Sequence, residues 1–245
     1  FIIFCMKFMK IIPIKSIIFM FLLLFLARAV LNNSKGIVNF FSDLTSSATS
    51  GVLSSNKPVF KIADLSDDDK KRLIDVGAYN SKCPVPLSDL KILTVSFKDF
   101  AGVNQVGTVI VHNKVADVVL EIFKVLFEVK FPLASVSPIY NFSGSDEQSM
   151  LANNTTAFHC RPVTYSTTVM SKHSYGTAID FNPVQNPYLR RGVVLPDAGK
   201  DYLNRKQLRI GMVESIVGLM DRFGFVVWAG SWDSPTDYMH FEFVE

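Results

Sequence analysis

Histidine is scarce in this sequence. Four occur in 245 residues, beside three cysteines and two tryptophans. A basic face is missing too. The formal net charge is only +3, and Lys7, Lys10 and Lys15 near the N-terminus supply part of it. The remainder is close to neutral, which argues against nucleic acid, a partner that calls for a basic patch. No internal repeat is present, nor any regular alternation of strand and helix. The apolar run from Ile17 to Leu26 is short for a membrane-spanning helix.

That run has a different meaning. Basic residues precede it, and Ala27-Arg28-Ala29 follows as a small-x-small pattern. Residues 1–29 thus read as a secretory signal peptide. The chain is expected to be exported to the periplasm or cell envelope, touching a membrane only through this leader if it stays uncleaved. Beyond the leader two cysteines remain, Cys83 and Cys160. An even count in an exported protein permits a disulfide without showing one; two buried thiols are the alternative.

Residues 30–82 read as a linker and N-terminal extension, rich in Ser, Thr, Asn and Gly between 32 and 57. Within them SDDDKKR, residues 66–72, resembles a helix start with Ser66 as N-cap, although a charge run of this kind also reads simply as a solvated face. The folded domain is expected over 83–245. LKILTVSFKDF and GTVIVH are strand candidates. Asn113 is expected to cap a helix whose polar stripe is Lys114, Asp117, Glu121, Lys124 and Glu128. Val115, Val119, Ile122 and Leu126 fall on its core side, and Pro132 ends it. VSPIYNF, AFHCRPV, GFVVWAG and DYMHFEFVE read as short strands. A second helix is expected over about 206–223, stopped by Gly224. Strands and helices mixed in this way imply an α+β fold, with a small, mostly antiparallel central sheet flanked by helices.

Chemistry concentrates in SKHSYGTAIDFNP, residues 171–183. His173 and Asp180 are an odd number of residues apart, so one straight strand would point them to opposite faces. A turn at Ser174-Tyr175-Gly176 lets both look into one cleft. Two ligands make a poor transition-metal site; a catalytic zinc usually takes three plus water. The C-terminal DYMHFEFVE offers a third. Met239, Phe241 and Phe243 alternate with His240 and Glu242, leaving the latter two on a common face. Asp237 stands near Pro235, placed to approach a metal-bound water as general base. Glu242 is either that base or a hydrogen-bond partner of a ligand histidine. His112 and His159 read as structural, though His159 and Arg161 could share one strand face. Trp228 and Trp232 either wall the cleft or pack in the core. Asn182-Pro183 and Asn186-Pro187 read as rigid turns holding Asp180.

S-x-H-x-x-G-x-A-x-D, formed by Ser171, His173, Gly176, Ala178 and Asp180, together with the later D-x-x-H, resembles the D-alanyl-D-alanine carboxypeptidase-like zinc metallopeptidases. These include VanY- and VanX-type enzymes, endolysin peptidases and the hedgehog-like fold. CPVPLSDL, NNTTAFHCR, AIDFNPVQNPY and the terminal W-x-x-x-x-D-Y-M-H-F extend the similarity over roughly 83–245. The resemblance implies that His173, Asp180 and His240 bind Zn2+. It puts Asp237 in the place of a catalytic acid that is often Glu in relatives. It implies that Arg161 holds a substrate carboxylate or polarises the scissile carbonyl, and that Ser171 lines the site. The implied substrates are peptidoglycan stem peptides, cut as a D-alanyl-D-alanine carboxypeptidase or as an L-alanyl-D-glutamate endopeptidase. A non-catalytic zinc-containing cell-wall binding module and a metal-free envelope protein are the competing readings.

Overall fold

A computed structural model describes residues 57–164 and 166–244. The signal peptide read over 1–29, and the linker as far as residue 56, lie outside the described residues. The elements follow in chain order. They are β1 (Phe60–Asp64), α1 (Asp67–Asp75), β2 (Leu90–Lys98), β3 (Asn104–His112) and α2 (Asn113–Glu128). Then come β4 (Ser135–Val136), α3 (Asp146–Leu151), β5 (Asn154–Thr155), β6 (Ala178–Asp180), β7 (Tyr188–Arg190) and β8 (Val193–Leu195). Last are α4 (Val217–Arg222), β9 (Val227–Trp228), β10 (Thr236–Asp237) and β11 (His240–Glu242). No helix among the described residues is long and apolar enough to cross a membrane.

The α+β, mostly antiparallel reading holds. The strands are divided among three antiparallel sheets, ordered β1-β2-β3, β10-β7-β8 and β6-β11-β9, with β4 and β5 forming a parallel pair. The first sheet is the scaffold. Side chains alternate across a strand, and here both faces are covered. Leu93, Val95 and Phe97 of β2, with Val109 and Val111 of β3, join the core under α2. Leu90 and Ile110 point the other way, to a second cluster with Leu73, Ile139, Tyr140 and Phe158. Helix α2 buries Val115, Val119, Ile122, Phe123 and Leu126, the stripe its periodicity predicts. Its N-cap is His112 rather than Asn113: the imidazole Nδ1 accepts the Lys114 amide at 3.1 Å.

Two boundaries differ from the sequence reading. The fold begins before residue 83, because β1 pairs with β2 over five positions and Leu73 of α1 is fully buried. Ser66 does cap α1: its hydroxyl accepts the Asp69 amide, and the Asp69 carboxylate accepts the Ser66 amide. The helix expected over 206–223 shrinks to α4. Gly211 interrupts it with φ +84°, and an added Cβ there would lie 2.5 Å from the Phe100 ring, so the backbone leaves the helical region at that point.

VSPIYNF is not a strand beyond Val136; Pro138 leads into a 3-10 turn over Ile139–Phe142. AFHCRPV runs without a ladder of its own, since successive amides go to different neighbours. Phe158 donates to Ile110, His159 to His173 and Cys160 to Ala78. Cys160 is also disulfide-bonded to Cys83, with 5.7 Å between their Cα atoms.

Candidate metal centre

Strand pairing sets the site. In the β11–β6 ladder His240 lies directly opposite Asp180, and such pairs project their side chains from the same face. His173 comes from outside the sheet. A 3-10 turn spans Lys172–Tyr175; the Ser171 hydroxyl caps it by accepting the His173 amide at 3.3 Å. Gly176 ends the turn in the left-handed region at φ 65°. Its carbonyl accepts the His112 amide at 2.9 Å. A Cβ on Gly176 would sit 2.6 Å from that nitrogen, so only glycine lets the turn dock on the end of β3.

Three predicted ligands therefore meet. His173 Nε2 lies 3.1 Å from Asp180 Oδ2, His240 Nδ1 lies 2.9 Å from Asp180 Oδ1, and the two ring nitrogens are 3.0 Å apart. All three residues are largely withdrawn from water. Each ring's far nitrogen is fixed. His173 Nδ1 is 2.5 Å from the Ala157 carbonyl, which can only accept, so that nitrogen carries the proton. His240 Nε2 lies 3.0 Å from Glu242 Oε1 and donates to it. Nε2 of His173 and Nδ1 of His240 then face Asp180. This is the tautomer control that metal-ligating histidines use.

The arrangement fits a metal ion. Bonds of about 2.0–2.1 Å at tetrahedral angles separate donors by roughly 3.3 Å, close to the spacings seen. The electrostatics also favour positive charge between the side chains. Burial opposes a charged His240, yet the hydrogen bonds it donates to Asp180 and Glu242 raise it to about 10. Burial would lift Asp180, but the two histidines hold it far below the usual carboxylate range. The cluster could thus hold a cation through His173, Asp180 and His240.

Asp237 sits on β10, whose pairing sets it opposite Tyr188. Its Oδ1 is buried without a hydrogen-bond partner. Burial first, and the Asp180 charge second, push this carboxyl up to about 7. A buried orphan oxygen is uncommon in folded proteins and calls for an explanation. A water or reacting group beside the cluster would supply one.

A cleft of about 440 Å³ opens over the cluster, lined among others by Arg161, Ser171, Trp232, Asp237 and Glu242. Arg161 and Ser171, which the sequence resemblance places at the site, both line this cleft. The tryptophans divide: Trp232 rims the cleft 6.1 Å from the His240 ring, while Trp228 stacks on Phe241. Glu242 resolves as the partner of His240. The asparagines do more than turn the chain. Asn182 adopts φ 43° and its amide reaches the Pro132 and Gly211 carbonyls. Asn186 donates to the carbonyls of Phe181, Asn182 and Gly211 and accepts the Val213 amide.

Sequence reasoning missed two residues. The Ser174 hydroxyl accepts the Arg161 amide at 2.9 Å and donates to the Arg161 carbonyl at 2.7 Å. Asp146 forms ion pairs with both His159 and Arg161. Nothing in SGSDEQSM marks that aspartate; only a serine before an acid hints at the helix it opens.

Comparison with known families matches residues 164–243 to a family described as D-alanyl-D-alanine carboxypeptidase. No curated protein and no solved structure matches the chain. The matched segment contains His173, Asp180, Asp237, His240 and Glu242; Arg161 lies just before it. The part of the chain that supplies the whole cluster thus carries the pattern of the D-alanyl-D-alanine carboxypeptidase family, as the motif resemblance implies.

Proposed function

We propose that this chain is an exported zinc peptidase acting on peptidoglycan stem peptides at D-alanyl-D-alanine ends. The observation that carries the reading is the placing of Asp237, with an unpartnered buried oxygen, beside a closed His173–Asp180–His240 cluster. The family match over the same residues supports it. Localisation to the periplasm or cell envelope rests on the leader read in residues 1–29.

His173 Nε2, Asp180 and His240 Nδ1 would hold the zinc. Bound there, zinc supplies Lewis acidity, which acidifies water and polarises a carbonyl. Asp237 takes the proton of the attacking water and returns it to the departing amine. Arg161 presents a permanently charged guanidinium to the scissile carbonyl or to the terminal carboxylate of the substrate. Ser171 lines the cleft and keeps His173 in place through the capped turn.

One observation favours a second reading. A second cavity of about 240 Å³, lined among others by Thr156, Met150 and Leu195, shares Arg161, Asp180, Tyr188 and Asp237 with the cleft as walls. Room in more than one cavity around Arg161 and Asp237 suits an endopeptidase, of the L-alanyl-D-glutamate kind. Mass spectrometry of muropeptides digested by the zinc-loaded protein decides between them, since loss of a terminal alanine and cleavage near the stem's base give different masses. The Asp237→Asn variant should lose about 10²- to 10⁴-fold in rate while still holding zinc. Unchanged turnover in that variant would remove Asp237 from the role.

A further inference from the structure

Arg161 is held by five contacts, and the one that decides its direction is unaccounted for by the cluster chemistry. Its backbone is tied to the His173 turn: besides the two bonds to Ser174, its carbonyl accepts the Ser171 amide at 3.0 Å. The guanidinium is bound separately. Nε is buried and forms an ion pair with Asp146 Oδ2 without the alignment of a hydrogen bond, and Nη1 donates to the Pro162 carbonyl at 3.2 Å. No bond from Nη2 to another of the described residues is found. Arg161 lines both the cleft over the cluster and the neighbouring cavity.

Among the described residues, the ion pairs of the Asp146 carboxylate go to this arginine and His159. Its Oδ1 lies 2.8 Å from His159 Nδ1, and its Oδ2 faces Arg161. His159 is buried and sits two residues before Arg161, with the disulfide-bonded Cys160 between them. Burial alone would raise the Asp146 carboxyl, but the His159 bond and the Arg161 charge hold it below the usual range. It therefore stays an anion and a permanent acceptor. A guanidinium is a rigid planar fork, so the ion pair that holds its Nε edge against Asp146 constrains where Nη2 points.

We propose that Asp146, braced by His159, is a positioning residue that aims the free edge of Arg161 into the cleft. The inference rests on the peptidase reading in one respect, that a peptide occupies the cleft.

A double-mutant cycle on the zinc-loaded full chain tests it, with a D-Ala-D-Ala-terminated stem peptide as substrate. Asp146→Asn should lower kcat/KM about tenfold to hundredfold, with zinc content unchanged. Asp146→Glu should recover part of that loss. In an Arg161→Ala background, Asp146→Asn should add less than a further twofold, because the arginine it aims is gone. Losses that multiply in the double variant, or an Asp146→Asn enzyme within twofold of wild type, would overturn the proposal. Should zinc-loaded wild type cut no stem peptide of either kind, the peptidase reading falls, and Asp146 is judged by nuclear magnetic resonance instead. A slowly exchanging Arg161 Nε–H signal, lost in Asp146→Asn, supports the aiming contact; the same signal in both forms overturns it.

Discussion

Two regions of this molecule are stabilised in different ways. From β1 to α2 the chain forms nine-residue strands and a sixteen-residue helix, joined by apolar faces and regular ladders. From β5 to β11 no strand exceeds three residues. There the backbone is held instead by buried amides and hydroxyls: Asn154, Ser174, Asn182 and Asn186 bond carbonyls and amides far along the chain. The first region is a scaffold that tolerates its own regularity. The second needs irregular backbone to bring His173, Asp180 and His240 to one point from separate segments, and buried polar side chains replace the missing ladders. Extended ladders would fix residues in pairs only, whereas a third ligand from a turn requires the chain to leave the sheet.

This contrast can be broken from either side. The largest expected effect is in the scaffold. Phe123→Ala, at a fully buried site under the first sheet, should cost about 3–5 kcal/mol in stability, measured by denaturant unfolding. Zinc affinity of the molecules that remain folded should change less than in the variants below, although the Phe123 ring meets Phe181 beside Asp180. In the second region Asn186→Ala should cost about 1–3 kcal/mol by leaving buried carbonyls unpaired. Here zinc affinity should fall with stability, because the Phe181 carbonyl that Asn186 holds adjoins Asp180. Smaller still, and confined to the site, Glu242→Gln should weaken zinc by about 10- to 100-fold with little change in unfolding, read by competition with a chelator. If Phe123→Ala impaired zinc as much as Asn186→Ala did, the division of labour between the two regions would be wrong.

The same division governs how much could be read in the sequence. Helix α2 was legible because sixteen residues give several turns of a 3.6 period, and the buried stripe matches it. Strand β11 was legible through alternation in DYMHFEFVE, which separates Phe241 from His240, whereas its pairing with β6 was not. The motif spacing added His173, which no periodicity marks. Short irregular pieces were not legible. Residues 206–216 have an apolar spacing that fits a helix, but Gly211 takes a left-handed conformation against Phe100, and the Val213 amide is claimed by Asn186. AFHCRPV reads as a strand from its apolar residues, yet its amides donate to a different neighbour at almost every residue. The capping box at Ser66 and Asp69 was a true signal outweighed by the charge run around it. Asp146 left no trace, since its role depends on His159 and Arg161, thirteen and fifteen residues further on.

The central claim is that His173, Asp180 and His240 share one metal ion. Zinc content by elemental analysis, after equilibration with excess zinc and gel filtration, tests it most directly in wild type, His173→Ala and His240→Ala. One zinc per chain in wild type and a near-complete loss in each variant is the predicted result. Wild type without zinc, or variants that keep it undiminished, would contradict a shared site.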